Sequence, residues 1–433
     1  MQTFFIRTYG CQMNELDSLI IKGLLERRNM VEAASEEEAD LLIFNTCSIR
    51  DLAERKVLGK LGLLFRSKKK RIIGIAGCMA IAKKERLFQK FPQLDFVIGP
   101  NNIADLDTIL DELACQKGHH LKTDLQHTEN IDYLLAKRHG IKADVSIIRG
   151  CNNFCSYCIV PYTRGREASR PDAGILAECK ILIEKGVKEI CLLGQNVNSY
   201  GKDLPGSIRF PQLLARINDL EGLLRIRFLT SHPKDISPDL ILAIKELPKV
   251  CEFVHFPIQS GSNAVLKSMN RKYTREEYLE KALKLKTEVP NVRLGTDIIV
   301  GFPGETEADF LQTVSVFEKM RFGTAFIFAY SPRSGTAAAQ LADNVLPEEK
   351  QKRLQHLLAL HQRIMTEEAI NELGKVKEVL VERFNRDQKT LKGHTRSGQK
   401  VIFKGAAKEI GSLQQVKLLQ FKNQTFLAAL IET

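Results

Sequence analysis

The sequence predicts an α/β chain built as three units: an open parallel α/β sheet, a central partial β/α barrel of six units, and a small antiparallel β-barrel resembling an OB-fold. Three observations predict it. Apolar β-rich runs alternate with helical stretches from residue 1 to about 114; the alternation resumes six times from about 144; and after Gly374 five short strand-like runs follow in under 60 residues. Alternating β and α elements imply parallel strands under helices, whereas short strands at close spacing imply a small barrel. At 433 residues the chain is also too long for one ordinary core.

In the first unit, TFFIRTYG, DLLIFNTC, RIIGIAGC and DFVIGP read as buried parallel strands, because each is a short run of apolar residues. SLIIKGLLERRN, SIRDLAERKVLGKLGLLF and AKKERLFQKF are the helical stretches between them. Residues 115–143 are polar and lack sustained periodicity, so a domain over 1–118 is followed by a linker over 119–143. The barrel, over 144–366, takes its strands from DVSIIRG, EICLLGQ, RIRFLTS, FVHFPIQ, RLGTDIIVG and TAFIFAYS. Its active site should lie at the strand C-terminal ends. Polar residues gather there: Gln195 and Asn196, Ser231 and His232, Gln259 and Ser260, Asp297, Tyr330 and Ser331. A long helix then starts near Pro347, with Leu354, Leu357, Leu358, Leu360, Ile364 and Met365 as its apolar stripe. It leads into the last unit, 367–433, whose strands are KEVLVERF, TLKGHT, KVIFKG, QQVKLLQF and TFLAALIE.

Charge and composition narrow the function. A net charge of +12 favours a polyanionic partner, nucleic acid before membrane, since no basic amphipathic anchor is present. No run of eighteen apolar residues exists, and MQTFFIRTYGCQMNE lacks the apolar core of a secretory signal, so a cytoplasmic protein is expected. Residues 376–433 hold eight Lys and three Arg against five acidic residues. Such a barrel can track phosphates by counterion release, although an ordinary solvated charged surface has the same composition. Lys68, Lys69, Lys70 and Arg71 read as a solvated helix end. Arg164, Arg166 and Arg170 could meet substrate phosphates, or pair with Glu167 and other acids.

The ten cysteines stand at 11, 47, 78, 115, 151, 155, 158, 179, 191 and 251. Disulfides are a poor reading for a cytosolic chain, so their confinement to the first 251 residues points to metal chemistry. Cys151-Asn-Asn-Phe-Cys155-Ser-Tyr-Cys158 follows the first barrel strand directly. Three thiolates at this spacing can hold three irons of a [4Fe–4S] cluster and leave the fourth open to S-adenosylmethionine (SAM). The competing reading, structural zinc, calls for four ligands, and no fourth lies nearby in sequence. Cys11, Cys47 and Cys78 each end a predicted strand, and in a parallel sheet such ends share one edge, where ligands usually bind. They could hold a second cluster with one open iron, or be three small core residues. Cys179, Cys191 and Cys251 read as core residues and Cys115 as a helix end; His119, His120, His127 and His139 have no ligand spacing.

The CxxxCxxC pattern, with Tyr157 before its third cysteine, resembles the radical SAM enzymes. YGCQMNELDS, NTCSIRDLAERK, CNNFCSYCIVPYTRGREASRP, LLGQNVNSYG, FLTSHP, PIQSGSNAVLKSMNRKYT, IIVGFPGET and YSPRSGT together resemble one branch of them, the methylthiotransferases, over nearly the whole length. NTCSIR and VPYTRGREASRP are similar in particular to the subfamily acting on dimethylallyladenosine in tRNA. AYSPRSGTAAAQ departs from relatives, which commonly carry Pro after Gly-Thr. The resemblance implies an N-terminal methylthiotransferase domain, a radical SAM barrel and an RNA-binding TRAM domain. It also implies two [4Fe–4S] clusters, held by Cys11, Cys47 and Cys78 and by Cys151, Cys155 and Cys158. It implies two SAM molecules: one cleaved to a 5′-deoxyadenosyl radical, one giving a methyl group. The SAM pocket then maps onto Tyr157, Gln195, Asn196, Gln259, Ser260 and Asp297. The implied reaction replaces C2–H of N6-dimethylallyladenosine at position 37, beside the tRNA anticodon, with a methylthio group. A monomer and an electron donor such as flavodoxin or ferredoxin are expected. Two alternatives stay open. One is the same chemistry on threonylcarbamoyl-adenosine or a ribosomal-protein aspartate; the other is a non-catalytic Fe–S or zinc protein that binds RNA.

Overall fold

The computed structural model describes residues 1–431 apart from 49–50, 67–69, 117, 127–130, 132, 134–135, 137–139 and 207. Lys68, Lys69, His127 and His139 therefore lie outside the described residues. The N-terminal unit is a six-stranded, all-parallel sheet of β1 (Thr3–Tyr9), β2 (Val31–Glu32), β3 (Leu41–Thr46), β4 (Ile72–Ala76), β5 (Phe96–Ile98) and β6 (His120–Lys122), in the order β2-β1-β3-β4-β5-β6. Every residue of β3 is buried, because helices cover both faces. Leu41 and Ile43 pack against Leu16, Ile20 and Leu24 of the helix Gln12–Arg27, while Leu42 and Phe44 pack against Val57 and Leu61 on the other side.

Two edge strands were not legible. β2 has only two residues, and β6 falls inside the stretch expected to be a linker. His120 pairs with Phe96, and Ile131, Tyr133 and Ala136 lie against the first core. Isolated apolar residues in a polar stretch give no period to read; tertiary pairing alone orders them.

In the central unit, β7 (Lys142–Ser146) is followed by a small antiparallel clip, β8 (Ile148–Arg149) against β9 (Ala168–Ser169). Then come β10 (Glu189–Leu193), β11 (Arg225–Phe228), β12 (Phe253–His255), β13 (Arg293–Val300) and β14 (Thr324–Ala329). They form two parallel ladders, β7-β10-β11 and β12-β13-β14, joined by an Ile226–Val250 bridge. All six strands thus follow chain order, as in a partial barrel. Val254, Leu294, Ile298, Val300 and Ile327 point outward into the main core beneath the helices. The intervening residues face the lumen. Helix starts are set locally: the Thr274 and Thr306 hydroxyls each accept the amide three residues on, at 3.2 Å, closing a capping box.

The helix Pro347–Glu372 joins the last two units. Leu357, Leu360 and Ile364 enter the barrel core and Ala369 enters the next one, so the expected boundary at 366–367 falls inside one continuous helix. β15 (Val376–Asn385), β16 (Thr390–Thr395), β17 (Lys400–Lys404), β18 (Leu413–Lys422) and β19 (Thr425–Leu430) then close into a barrel, ordered β15-β16-β17-β19-β18. This small barrel docks under the N-terminal ends of the central strands. Arg227 of β11 donates to the carbonyls of Thr395 and Arg396 at 2.7 and 2.8 Å, and the Arg396 guanidinium pairs with Glu252 at 2.7 Å. The opposite end of the central strands faces the N-terminal sheet. Among the described residues, no helix is long and apolar enough to cross a membrane.

Candidate active site

The parallel order β1-β3-β4 brings the ends of three strands side by side, and Cys11, Cys47 and Cys78 follow those ends. Cys47 donates its amide to Tyr9 O at 2.8 Å, fixing one strand exit against the next. Beneath them lies a buried polar network. Asn14 Nδ2 donates to Asn45 Oδ1 at 3.1 Å, and Asn45 Nδ2 donates to Asn14 O and Ser18 Oγ, both at 2.9 Å. Gly77, at φ +93°, is required there, since a Cβ would stand 2.4 Å from Asn45 Oδ1. The Cys11 thiol is pushed down to about 5, chiefly by its hydrogen bond with Cys47, helped by the Arg164 charge. A thiol held as thiolate at neutral pH is ready to bind metal.

The second triad sits on the loop after β8. Gly150, at φ +76°, lets that loop pass under the Arg166 carbonyl, where a Cβ would come within 1.9 Å. Phe154 is also left-handed, at φ 47°, which turns the chain back between Cys151 and Cys155. Asn153 Nδ2 donates to the Cys151 sulfur and Arg271 Nη1 to the Cys155 sulfur, each at 3.3 Å. Burial, with the neighbouring Glu167 and Cys155 charges, pushes Cys151 up to about 11, and burial and the other two thiols push Cys158 up. A polyvalent cation would favour the charged forms of thiols grouped in one buried loop. The donor set therefore fits an iron–sulfur cluster. Among the described residues no three ligating side chains close on a single ion. Each thiolate on a cluster binds a different iron, so a common focus is not needed.

The remaining predicted residues line or brace this end of the barrel. Tyr157 OH receives Arg271 Nη1 at 3.5 Å, and its ring packs against the cluster of Val265, Met269, Phe302, Tyr330 and Ala338. Gln195 Oε1 accepts the Gly150 amide at 2.6 Å, bracing the cysteine loop. Asn196 Nδ2 donates to Asp235 at 2.7 Å. Gln259 holds φ 75° and bridges to β13, its amide on Asp297 O at 2.9 Å. Ser260 is fully buried and faces Thr313 at 3.4 Å, within the scaffold. Asp297 faces the lumen and pairs with His255 Nε2 at 3.1 Å. Ser146 Oγ, Asn196 Oδ1 and Ser231 Oγ are buried at this rim without a hydrogen-bond partner among the described residues. Such orphaned groups suit the many polar atoms of SAM.

Of the two readings open for the arginines, pairing with acids holds for Arg164 and Arg170. Arg164 is buried and reaches Asp17 Oδ2 of the N-terminal unit at 3.0 Å, and Arg170 pairs with Glu178 at 2.7 Å and stacks on Tyr133. Both are committed inside the protein, not to substrate phosphates. Arg166 stacks over Phe154 at 4.6 Å. Sequence reasoning also missed Arg271, His255, Phe326 and Phe328. Phe326 and Phe328, 48% and 46% exposed, sit beside Asp297 and Ile299 on the lumen side of β14. The Phe326 ring meets His255 edge-on at 6.0 Å. The one readable signal was alternation: FIF on the last strand puts two aromatics on one face.

A barrel with a three-cysteine loop at its strand exits, facing a sheet with three strand-end thiols, defines a radical SAM protein with a second thiol site. Residues 145–317 match the model of the radical SAM superfamily, 3–99 that of the uncharacterized protein family UPF0004, and 371–431 that of the TRAM domain. The tRNA-2-methylthio-N(6)-dimethylallyladenosine synthase of Protochlamydia amoebophila is 54% identical over 99% of this chain and 96% of its own. The synthase of the same name from Thermoanaerobacter pseudethanolicus is 47% identical over 99% and 93%. Among solved structures, the radical SAM methyltransferase TsrM of Kitasatospora setae superposes with a TM-score of 0.58 at 13% identity, covering 78% of this chain and 77% of that one, which bears on the fold. The chain belongs to the tRNA-2-methylthio-N(6)-dimethylallyladenosine synthase family.

Proposed function

We propose that the protein is a radical SAM methylthiotransferase that converts N6-dimethylallyladenosine at position 37 of tRNA to its 2-methylthio derivative. The observation that carries this reading is that the helix Val160–Arg164, just after the barrel triad, packs on the helix Cys78–Lys83, so that two thiol triads, each offering three ligands, share one junction. Cys151, Cys155 and Cys158 hold one [4Fe–4S] cluster; Cys11, Cys47 and Cys78 hold the other. When bound, the clusters supply the electron that cleaves SAM and the sulfur that is transferred. An unactivated aromatic C–H is hard to break heterolytically, which is why such a cofactor is needed.

The chain's own residues bind and orient. Arg271 and Asn153 hold the sulfurs of the barrel triad. Tyr157, Gln195, Asn196, Gln259, Ser260 and Asp297 shape the SAM end of the lumen. Phe326 and Phe328 offer an apolar wall suited to a prenyl substituent, which favours dimethylallyladenosine over the polar threonylcarbamoyl group or an aspartate side chain. Exposed lysines of the small barrel, Lys392, Lys400 and Lys404 among them, hold the RNA backbone. The protein works as a cytoplasmic monomer, since both triads and the basic barrel lie in one chain, and takes electrons from a flavodoxin or ferredoxin.

Mass spectrometry of tRNA nucleosides from a deletion strain and its complemented control tests the reading. The methylthio nucleoside should vanish on deletion, with the prenylated precursor accumulating, and return on complementation. Its survival in the deletion strain would overturn it.

A further inference from the structure

Arg164 lies six residues beyond Cys158, on the short helix Val160–Arg164, yet its side chain belongs to the other unit. That helix packs directly on the helix Cys78–Lys83, whose first residue is a thiol of the N-terminal triad. The guanidinium is buried, and Nη2 donates to Asp17 Oδ2 at 3.0 Å. Asp17 is itself buried and takes Arg149 on its other oxygen. Asn101 Nδ2 donates to the Arg164 carbonyl at 3.5 Å, so the main chain is held from the N-terminal unit as well. Nη1 is buried without a hydrogen bond of good geometry among the described residues, and the guanidinium faces the Cys78 thiol. A buried guanidinium nitrogen without a well-formed hydrogen bond is costly, and besides Asp17 the groups that face this guanidinium are the Cys78 and Cys11 thiols, where sulfur would assemble. Burial works against the charge, but Cys78, Asp17 and Cys11 hold Arg164 protonated.

We propose that Arg164 is a positioning residue that couples the two thiol triads: anchored beside Cys158 and clamped to Asp17, it fixes the N-terminal triad relative to the SAM site and gives Nη1 to the sulfur assembled there. The inference rests on the reading that Cys11, Cys47 and Cys78 hold a cluster. Arg149 shares Asp17 and otherwise donates to Tyr133 OH and Pro100 O, at 2.9 and 3.1 Å. It is therefore the structural control: it joins the same two units without donating to the thiols.

The test uses the full chain with Cys151, Cys155 and Cys158 changed to Ala, so that only the N-terminal triad can bind iron. This protein is reconstituted with iron and sulfide. Iron content and midpoint potential are measured, then repeated with Arg164→Ala, Arg164→Lys or Arg149→Ala added. Losing a cation and a donor to sulfur should move the potential to a more negative value in Arg164→Ala, with partial return in Arg164→Lys and no shift in Arg149→Ala. In the otherwise intact enzyme, Arg164→Lys should lower methylthio product at least tenfold more than it lowers 5′-deoxyadenosine, because lysine lacks the fork that spans both partners. If Arg164→Ala does not fold, Arg164→Lys and Arg164→Gln carry the comparison. No iron in the starting background would sink the cluster reading itself. Iron bound with a potential indifferent to Arg164, or product and 5′-deoxyadenosine falling together, would overturn this inference alone.

Discussion

Arg225, fully buried at the start of β11, donates to the Glu378 carboxylate of the small barrel at 2.8 Å and to the His394 carbonyl at 2.7 Å. The small barrel is thus bolted to the floor of the central barrel by a guanidinium that has no access to water. Arg225→Ala should cost about 3 kcal/mol, a buried charge pair losing one partner. Denaturant unfolding checks it; a change below about 0.5 kcal/mol would make the pairing a surface ion pair in effect. Deleting 376–433 outright would expose this same arginine, so truncation is a poor probe of RNA binding.

Surface lysines are the better probe. Register pairs Lys392 with Ile402, Lys400 with His394 and Lys404 with Thr390, which puts all three exposed lysines on one outward face of the β16–β17 hairpin. Changing them to Ala should weaken tRNA binding and flatten the plot of log affinity against log salt by about 1 for each phosphate no longer neutralised. Filter binding over a salt series measures this. An unaltered slope would show that the RNA is held on another face.

Arg271 should govern the barrel triad. It is buried, and its Nη1 gives Cys155 the hydrogen bond at 3.3 Å, while Nη2 and Nε tie down Pro257 O and Tyr273 OH. Arg271→Met removes the donor but keeps much of the volume. SAM cleavage to 5′-deoxyadenosine should fall at least tenfold, about 1.4 kcal/mol in barrier, with the N-terminal iron retained. Cleavage at the wild-type rate would reduce Arg271 to scaffold.

Phe326 and Phe328 should set substrate preference. Replacing both by Ser removes apolar surface from the lumen wall beside Asp297 without touching a thiol. The preference for prenylated over unprenylated tRNA should shrink by about 10-fold or more, as hydrophobic groups of this size discriminate by about 1–3 kcal/mol. Competition between the two tRNAs reads it, and an undiminished ratio would locate the prenyl group elsewhere.

What the sequence made legible was local. Strand runs such as LLIF, the strand-end positions of Cys11, Cys47 and Cys78, and the CxxxCxxC spacing are set by residues close together in the chain. What stayed hidden was pairing across units. Nothing near Arg164 in sequence points to Asp17, nor near Arg271 to Cys155, because those partners meet only through the fold. The same holds for β6, whose three residues become a strand by pairing with β5. The lumen-facing Phe326 and Phe328 were hidden for a different reason: alternation assigns them a shared face but not which side is empty.

The central claim is that the two triads do two different jobs, and one comparison tests it most directly. Two triple-Ala variants, one per triad, are assayed for iron, 5′-deoxyadenosine and methylthio product on prenylated tRNA under reducing, anaerobic conditions. Each should bind roughly half the iron, since thiolates from one unit serve one cluster. The Cys151, Cys155 and Cys158 variant should make neither product. The Cys11, Cys47 and Cys78 variant should still make 5′-deoxyadenosine but no methylthio nucleoside. Full methylthiolation by that second variant, or loss of both clusters from it while it stays folded, would contradict the account.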